Sequence, residues 1–159
     1  HQNGKVSVEE LSSNINLKEN FTLLYTGITR SANEILKEQN NRINKNKTNL
    51  DNLVNQAKTA KEMLLSQNYL GLATLLNETW SCKKELSPYI TNNKIDTMFD
   101  ELYDCGVNGA KLLGAGGGGF ILFYGNKDIV SKVNLKFPNQ KMMPLEIDYE
   151  GSCILFSDR

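Results

Sequence analysis

Histidine is almost missing from this 159-residue sequence. His1 is the single one, so no histidine dyad and no multi-histidine metal site can be assembled within the chain. Net charge is missing as well, with 18 Lys+Arg against 18 Asp+Glu. That balance gives no electrostatic support to nucleic-acid binding or to a polybasic membrane contact. No apolar run approaches the length of a membrane span, and no signal peptide is visible. Cysteine is scarce: Cys82, Cys105 and Cys153 are odd in number, far apart, and form no CxxC. The spacing argues against a metal site and predicts buried, reduced thiols in a cytoplasmic protein.

What the chain does have is glycine in one place. Five of its twelve glycines fall between Gly114 and Gly119, in the stretch Gly109-Ala-Lys-Leu-Leu-Gly-Ala-Gly-Gly-Gly-Gly-Phe120. Glycine loses the most backbone entropy on folding, so a cluster needs a reason. Either the backbone must reach positive φ, or something presses against bare main chain. Successive N–H groups of such a loop can also form an anion-binding nest. The G-x-G-x-x-G pattern is satisfied, but a dinucleotide fingerprint follows a strand and opens a helix. Here a helical pattern precedes the loop and the apolar strand 119–124 follows it. A Walker A loop ends in Gly-Lys-Ser/Thr, whereas Lys111 comes before the glycines. Both labels fail, leaving a helix–glycine loop–strand unit.

The length suits one domain with a real core. An alternating pattern at 5–8 predicts a short strand, and 11–20 reads as a polar connection. Phe21–Tyr25 predicts a second strand ending at Thr26-Gly27. Ser31 followed by Glu34 fits a capping box, with Ile35 and Leu36 opening an apolar helical face. Leu50, Leu53, Val54, Ala57 and Leu64 recur near a 3.6 period. After a polar break at 66–68 the pattern resumes at Tyr69, Leu72, Ala73, Leu76 and Trp80, and stops near Ser87-Pro88. The Asn/Lys-rich run 40–49 reads as a solvated helix face or loop. Ile95, Met98, Phe99 and Leu102 predict another helix, and 128–137 a short one. Residues 142–148 and 152–156 read as a hairpin around a turn at 149–151. The sum is an α+β domain, an antiparallel sheet covered by helices on one side.

The glycine stretch resembles the third conserved motif of the GHMP kinases, the galactokinase, homoserine kinase, mevalonate kinase and phosphomevalonate kinase superfamily. Leu24-Tyr-Thr-Gly-Ile-Thr-Arg-Ser-Ala-Asn-Glu-Ile-Leu-Lys-Glu-Gln39 is similar to one branch, the D-glycero-D-manno-heptose 7-phosphate kinases. Many members carry Ser or Thr before the first loop glycine, where this chain has Leu113. The heptose branch tolerates an apolar residue there, and the change removes one hydroxyl from any polar role. The resemblance covers nearly the whole chain and implies a GHMP kinase C-terminal domain over residues 1–159, of the ferredoxin-like α+β type. It also implies that the ATP phosphate loop and the catalytic acid lie in an N-terminal domain, since no comparable stretch occurs here. The opening at His1 rather than Met reads as a fragment of a longer protein, with a processed terminus as the alternative.

On that resemblance Gly114, Gly116, Gly117, Gly118 and Gly119 form the nucleotide-side loop that packs against the partner domain's phosphate loop, and no catalytic residue or metal ligand is expected in this chain. Thr26, Gly27 and Arg30, between a strand and a helix start, are the candidate substrate contacts. Their bland reading is a solvent-exposed arginine beside an ordinary helix cap. Lys111 is read as a surface charge. Asp96, Asp100, Glu101 and Asp104 are read as a solvated helix face rather than an acid–base or magnesium site. The implied activity is transfer of the γ-phosphoryl group of MgATP to a sugar hydroxyl, the anomeric one of a heptose 7-phosphate, by the full-length enzyme. The implied partners are ATP, Mg²⁺, a sugar phosphate and the chain's own N-terminal domain, with no nucleic acid and no membrane. Two alternatives stay open: a non-catalytic ligand-binding or regulatory module that uses the loop as its own anion nest, and a degenerate kinase homologue acting as a scaffold.

Overall fold

The computed structural model describes residues 15–148 together with Val8, Leu11, Ser152 and Cys153. The elements in order are β1 (Phe21–Tyr25), α1 (Ala32–Asn41), α2 (Lys47–Leu65), α3 (Tyr69–Lys84), α4 (Asn93–Asp104), β2 (Gly109–Leu112), β3 (Phe120–Tyr124), α5 (Lys127–Lys136) and β4 (Met142–Pro144). The four strands form one sheet in the order β2-β3-β1-β4, with every pairing antiparallel. Taken from β4, that is 4-1-3-2 with helices between β1 and β2 and between β3 and β4. This is the ferredoxin-like β-α-β-β-α-β plan, as expected.

Alternation along the strands sorts the side chains. Leu24 lies opposite Ile121, which lies opposite Leu112; one step on, Phe123 lies opposite Ala110. All five are buried, in one cluster with Ile95, Met98, Phe99 and Leu102 of α4 and Val133 of α5. Phe99 stacks on Trp80 of α3 with ring centroids 4.9 Å apart. The predicted helical stripe at 95–102 is therefore the principal core face of α4.

The opposite sheet face is only half-covered. Phe21, on that face, packs edge-on to Tyr69 of α3 and to Tyr124. Gly109 shares this face, and a Cβ there would overlap the backbone of Ala73. Helix α3 thus wraps the free edge of β2 instead of lying wholly on the core side, which corrects the one-sided helical layer. It also satisfies that edge: Ala110 N–H donates to Asn77 Oδ1 at 2.9 Å, and Lys83 Nζ donates to the Leu112 carbonyl at 3.1 Å.

Other expectations shift locally. The residues just before the glycines are strand β2, not helix, so the unit is strand–glycine loop–strand. Helix α4 has already stopped at Asp104, with Gly106 at φ +95 behind it, and pairing with β3 extends the four residues that follow. Ser31 is the N-cap of α1 but makes no side-chain cap hydrogen bond, so the capping box is not formed. In the polar run 40–49, Asn46 is buried and donates through Nδ2 to the Leu86 carbonyl at 2.7 Å. Cys82 and Cys105 are half-buried and Cys153 is exposed, against the expectation of buried thiols. The strand expected at 5–8 lies outside the described residues except for Val8, as does that at 152–156 except for Ser152 and Cys153; of 142–148, only Met142–Pro144 is strand. Among the described residues, no helix is long and apolar enough to cross a membrane.

Candidate functional site

The β1–α1 connection and the β2–β3 loop lie side by side, because β1 and β3 are paired and run in opposite directions. Both leave the sheet at the same end. Together they line a groove of about 320 Å³ that includes Tyr25, Arg30, Leu113, Ala115 and Phe120 along with loop glycines. The structure therefore brings Arg30 to the glycine loop, although 84 residues separate Arg30 from Gly114 in sequence.

The loop is held from below. Thr26 donates to the Gly119 carbonyl through both its N–H and its hydroxyl, each at 2.9 Å. The same hydroxyl accepts from Ile28 N–H at 3.2 Å, and Gly119 N–H donates back to the Ile28 carbonyl at 2.9 Å. Thr26 is fully buried, so it meets the groove through the loop it braces and not through a free hydroxyl. Gly117 N–H donates to the Ile90 carbonyl at 2.7 Å, in the connection between α3 and α4. Gln39 of α1 donates to the Ala115 carbonyl at 3.3 Å. Lys83 donates to the Gly114 carbonyl at 2.5 Å while it also holds Leu112.

These contacts explain the glycines. At Gly116, with φ +113, a Cβ would sit 2.9 Å from Ile90 Cα and 3.0 Å from the Ile90 carbonyl oxygen. At Gly118 it would overlap the Ile28 carbonyl. The bare main chain thus packs against this domain's own backbone. Two loop N–H groups that could have formed a nest, those of Gly117 and Gly119, are already paired internally, which weakens the anion-nest reading. Gly114, Gly119 and Gly27 differ: added Cβ atoms there would meet nothing within 4 Å. They mark the open side of the loop.

The groove carries one fixed charge. Arg30 is exposed, forms no ion pair among the described residues, and lies with its Cδ 3.0 Å from a Cβ built at Gly117. Its stem rests on the loop while its guanidinium remains free. The start of α1 follows immediately, and its first-turn N–H groups have no side-chain cap. Tyr25 and Phe120, ring centroids 5.1 Å apart, form an aromatic wall beside it. None of the four α4 carboxylates lines the groove. Asp96 accepts from Thr91 at 2.7 Å and Glu101 pairs with Lys136 at 3.1 Å, in keeping with a structural face.

Sequence reading missed the supports. Lys83 lies 29 residues from Leu112 and 31 from Gly114, and nothing in the helical pattern around it announces a bond to the loop. Burial holds its ammonium down to about 8, and neighbouring Lys111 pushes the same way. Lys111, read as a surface charge, is half-buried, and burial lowers its pKa too. The Ser87-Pro88 stop did mark the segment that supplies Ile90, but only as a helix end.

Residues 59–140 match the family model described as GHMP kinases C terminal. The match includes the loop and its floor, while β1 and Arg30 lie before it. Over 121 residues the chain is 29% identical to D-glycero-alpha-D-manno-heptose 7-phosphate kinase of Campylobacter jejuni, covering 75% of this chain and 35% of that protein. Over 110 residues it is 31% identical to the bifunctional fucokinase/GDP-fucose pyrophosphorylase of Arabidopsis thaliana, covering 67% of this chain and 10% of that one. Among solved structures, L. major mevalonate kinase in complex with R-mevalonate superposes with a TM-score of 0.66 at 16% identity, over 79% of this chain and 42% of that one. At that identity the likeness shows the fold alone. The chain spans about a third of the heptose kinase and a tenth of the bifunctional enzyme. With the glycine loop, its floor and the ferredoxin-like sheet all within or beside the matched span, the chain belongs to the GHMP kinase C-terminal family.

Proposed function

We propose that this chain supplies the C-terminal half of the active cleft of an ATP-dependent sugar kinase, with a heptose 7-phosphate as substrate. The observation that carries the reading is the groove in which free Arg30, the uncapped start of α1 and the open side of the glycine loop converge. A guanidinium beside a helix N-terminus suits a phosphate or a sugar hydroxyl. Arg30 and the α1 start would hold the sugar phosphate, with Gly27 at φ +70 turning the chain between them and β1. Gly114 and Gly119 would face the nucleotide-binding segment of a partner domain, while Gly116, Gly117 and Gly118 fix the loop's shape from behind. Thr26 acts by bracing Gly119.

Phosphoryl transfer depends mainly on positioning and charge stabilisation. A rigid loop bonded at both flanks suits that task, since it can hold a neighbouring phosphate loop in shape without moving a proton. MgATP would supply the γ-phosphoryl group, and the metal would supply charge stabilisation for the transfer. The heptose assignment draws support from the Campylobacter jejuni relative and from the similarity of residues 24–39 to that branch.

The test is a coupled ADP-release assay on the natural protein that contains this chain, with heptose 7-phosphate, mevalonate and galactose as acceptors. Turnover with the heptose phosphate and not the others is expected, and this 159-residue chain by itself should turn over none. A preference for a non-phosphorylated acceptor would refute the substrate assignment. Turnover by the isolated chain would refute the division of the cleft between two domains.

A further inference from the structure

Away from the groove, helices α2 and α3 border a second, half-open cavity. Helix α2 is 19 residues long yet has no fully buried residue, although Leu50 and Leu53 pack against the core. Between it, α3 and β2 lies a space of about 430 Å³. This falls within the ~300–1,000 Å³ typical of small-molecule sites. Its walls are largely aliphatic, including Leu53, Leu72 and Leu76, and its polar groups include Lys83, Lys111 and Gln56.

Those three polar groups are poorly matched to an empty apolar space. Neither lysine forms an ion pair among the described residues. Lys83 uses two donors on the Leu112 and Gly114 carbonyls, which leaves one N–H of its three. The Lys111 ammonium makes no hydrogen bond among the described residues. Burial is the main reason the Lys83 pKa is lowered, and the positive charge of Lys111 adds to it. Gln56 Oε1 is buried without a partner. Buried polar atoms are nearly always satisfied, so an orphan that lines a cavity beside two unpaired cations points to a missing polar group. Rotating the Gln56 amide would present its NH₂ to that same group.

We propose that the α2–α3 cavity is a binding site for an aliphatic monocarboxylate, its chain lying along Leu53, Leu72 and Leu76 and its head meeting Lys111, the free N–H of Lys83 and the Gln56 amide. A carboxylate accepts several charge-assisted hydrogen bonds at once, and it would offset the two positive charges that line the cavity. The site is distinct from the Arg30 groove and stands whether or not the kinase reading holds. Because Lys83 also grips Gly114, occupancy would touch the loop through that one side chain.

Isothermal titration of the 159-residue chain with decanoate, below its micellar range, tests this, with decanol and decylammonium as comparators. Decanoate should bind at one site, about tenfold or more tighter than decanol, and decylammonium should not bind. Octanoate should bind about an order of magnitude more weakly than decanoate, since each buried methylene contributes about fourfold. Lys111→Met should weaken decanoate at least tenfold, while Lys111→Arg retains it; circular dichroism checks that both variants fold. Ala60→Phe, which fills the cavity, should abolish binding. Equal affinity for decanol and decanoate, non-saturable uptake, or no effect of either Lys111→Met or Ala60→Phe overturns the proposal.

Discussion

Replacing single loop glycines by alanine separates the two reasons a glycine can be required. At Gly114, φ is +70 and an added Cβ meets nothing within 4 Å, so alanine suffers only left-handed backbone strain. That strain is roughly 1–2 kcal/mol, partly offset by the ~0.4–1 kcal/mol that alanine removes from unfolded-chain entropy. A net loss of about 0.5–1 kcal/mol follows. At Gly116 the strain at φ +113 is joined by contacts of 2.9 and 3.0 Å with the backbone of Ile90, which itself receives the Gly117 N–H. Backbone cannot yield as a side-chain tip can, and overpacking of this kind costs about 1–3 kcal/mol more. Gly116→Ala should therefore lose about 1.5–4 kcal/mol. Gly118→Ala, without positive φ but aimed at the Ile28 carbonyl, should fall with Gly116 and not with Gly114. Urea unfolding of the chain, with m around 2 kcal/mol/M, would read Gly116→Ala as a midpoint shift of about 0.75–2 M and Gly114→Ala as one of about 0.25–0.5 M. Equal shifts for Gly114→Ala and Gly116→Ala would refute the claim that the domain's own backbone dictates these glycines.

Two further predictions concern α3. Lys83 titrates at about 8 when folded and near 10.5 when unfolded, so between those values the unfolded chain holds more protons and stability rises with pH. The stability difference between wild type and Lys83→Met should therefore move in favour of wild type by about 1 kcal/mol from pH 7.5 to 9.5, an amount reduced from the ideal slope because the lysine is partly exposed; a flat difference in chemical denaturation would contradict it. Asn77 accepts from Ala110 N–H and from the Tyr103 hydroxyl, both at 2.9 Å, and donates to the Asn108 carbonyl at 3.0 Å. Asn77→Ala orphans a strand-edge N–H and should lose about 2 kcal/mol, with faster amide hydrogen exchange at Ala110; unchanged exchange there would show that α3 does not seal the edge.

The parts legible in the sequence were those written in local periodicity. The stripe Ile95, Met98, Phe99 and Leu102 is the buried face of α4, and the break at 66–68 is the turn between α2 and α3, with Asn68 capping α3 through Gly71 N–H. Strand β2 was not legible, because Gly109-Ala-Lys-Leu112 has weak strand propensity and is extended by its partner β3 and by Asn77 and Lys83 across the outer edge. The site was half legible. The glycine cluster and Arg30 each stood out, and sheet pairing brings them together. The floor at Ile90 and the grip of Lys83 come from long-range packing that no local pattern records.

The most direct measurement of the central claim is the steady-state kinetics of Arg30→Ala and Arg30→Lys in the natural protein that contains this chain, with heptose 7-phosphate varied at saturating MgATP. If the groove holds the sugar phosphate, Arg30→Ala should lower kcat/KM by about 10²-fold or more, the loss of a charge-assisted, two-pronged contact. Arg30→Lys should recover only part of it, and unfolding midpoints should stay within ~0.5 kcal/mol of wild type. Unchanged kcat/KM in a folded Arg30→Ala enzyme would contradict the account.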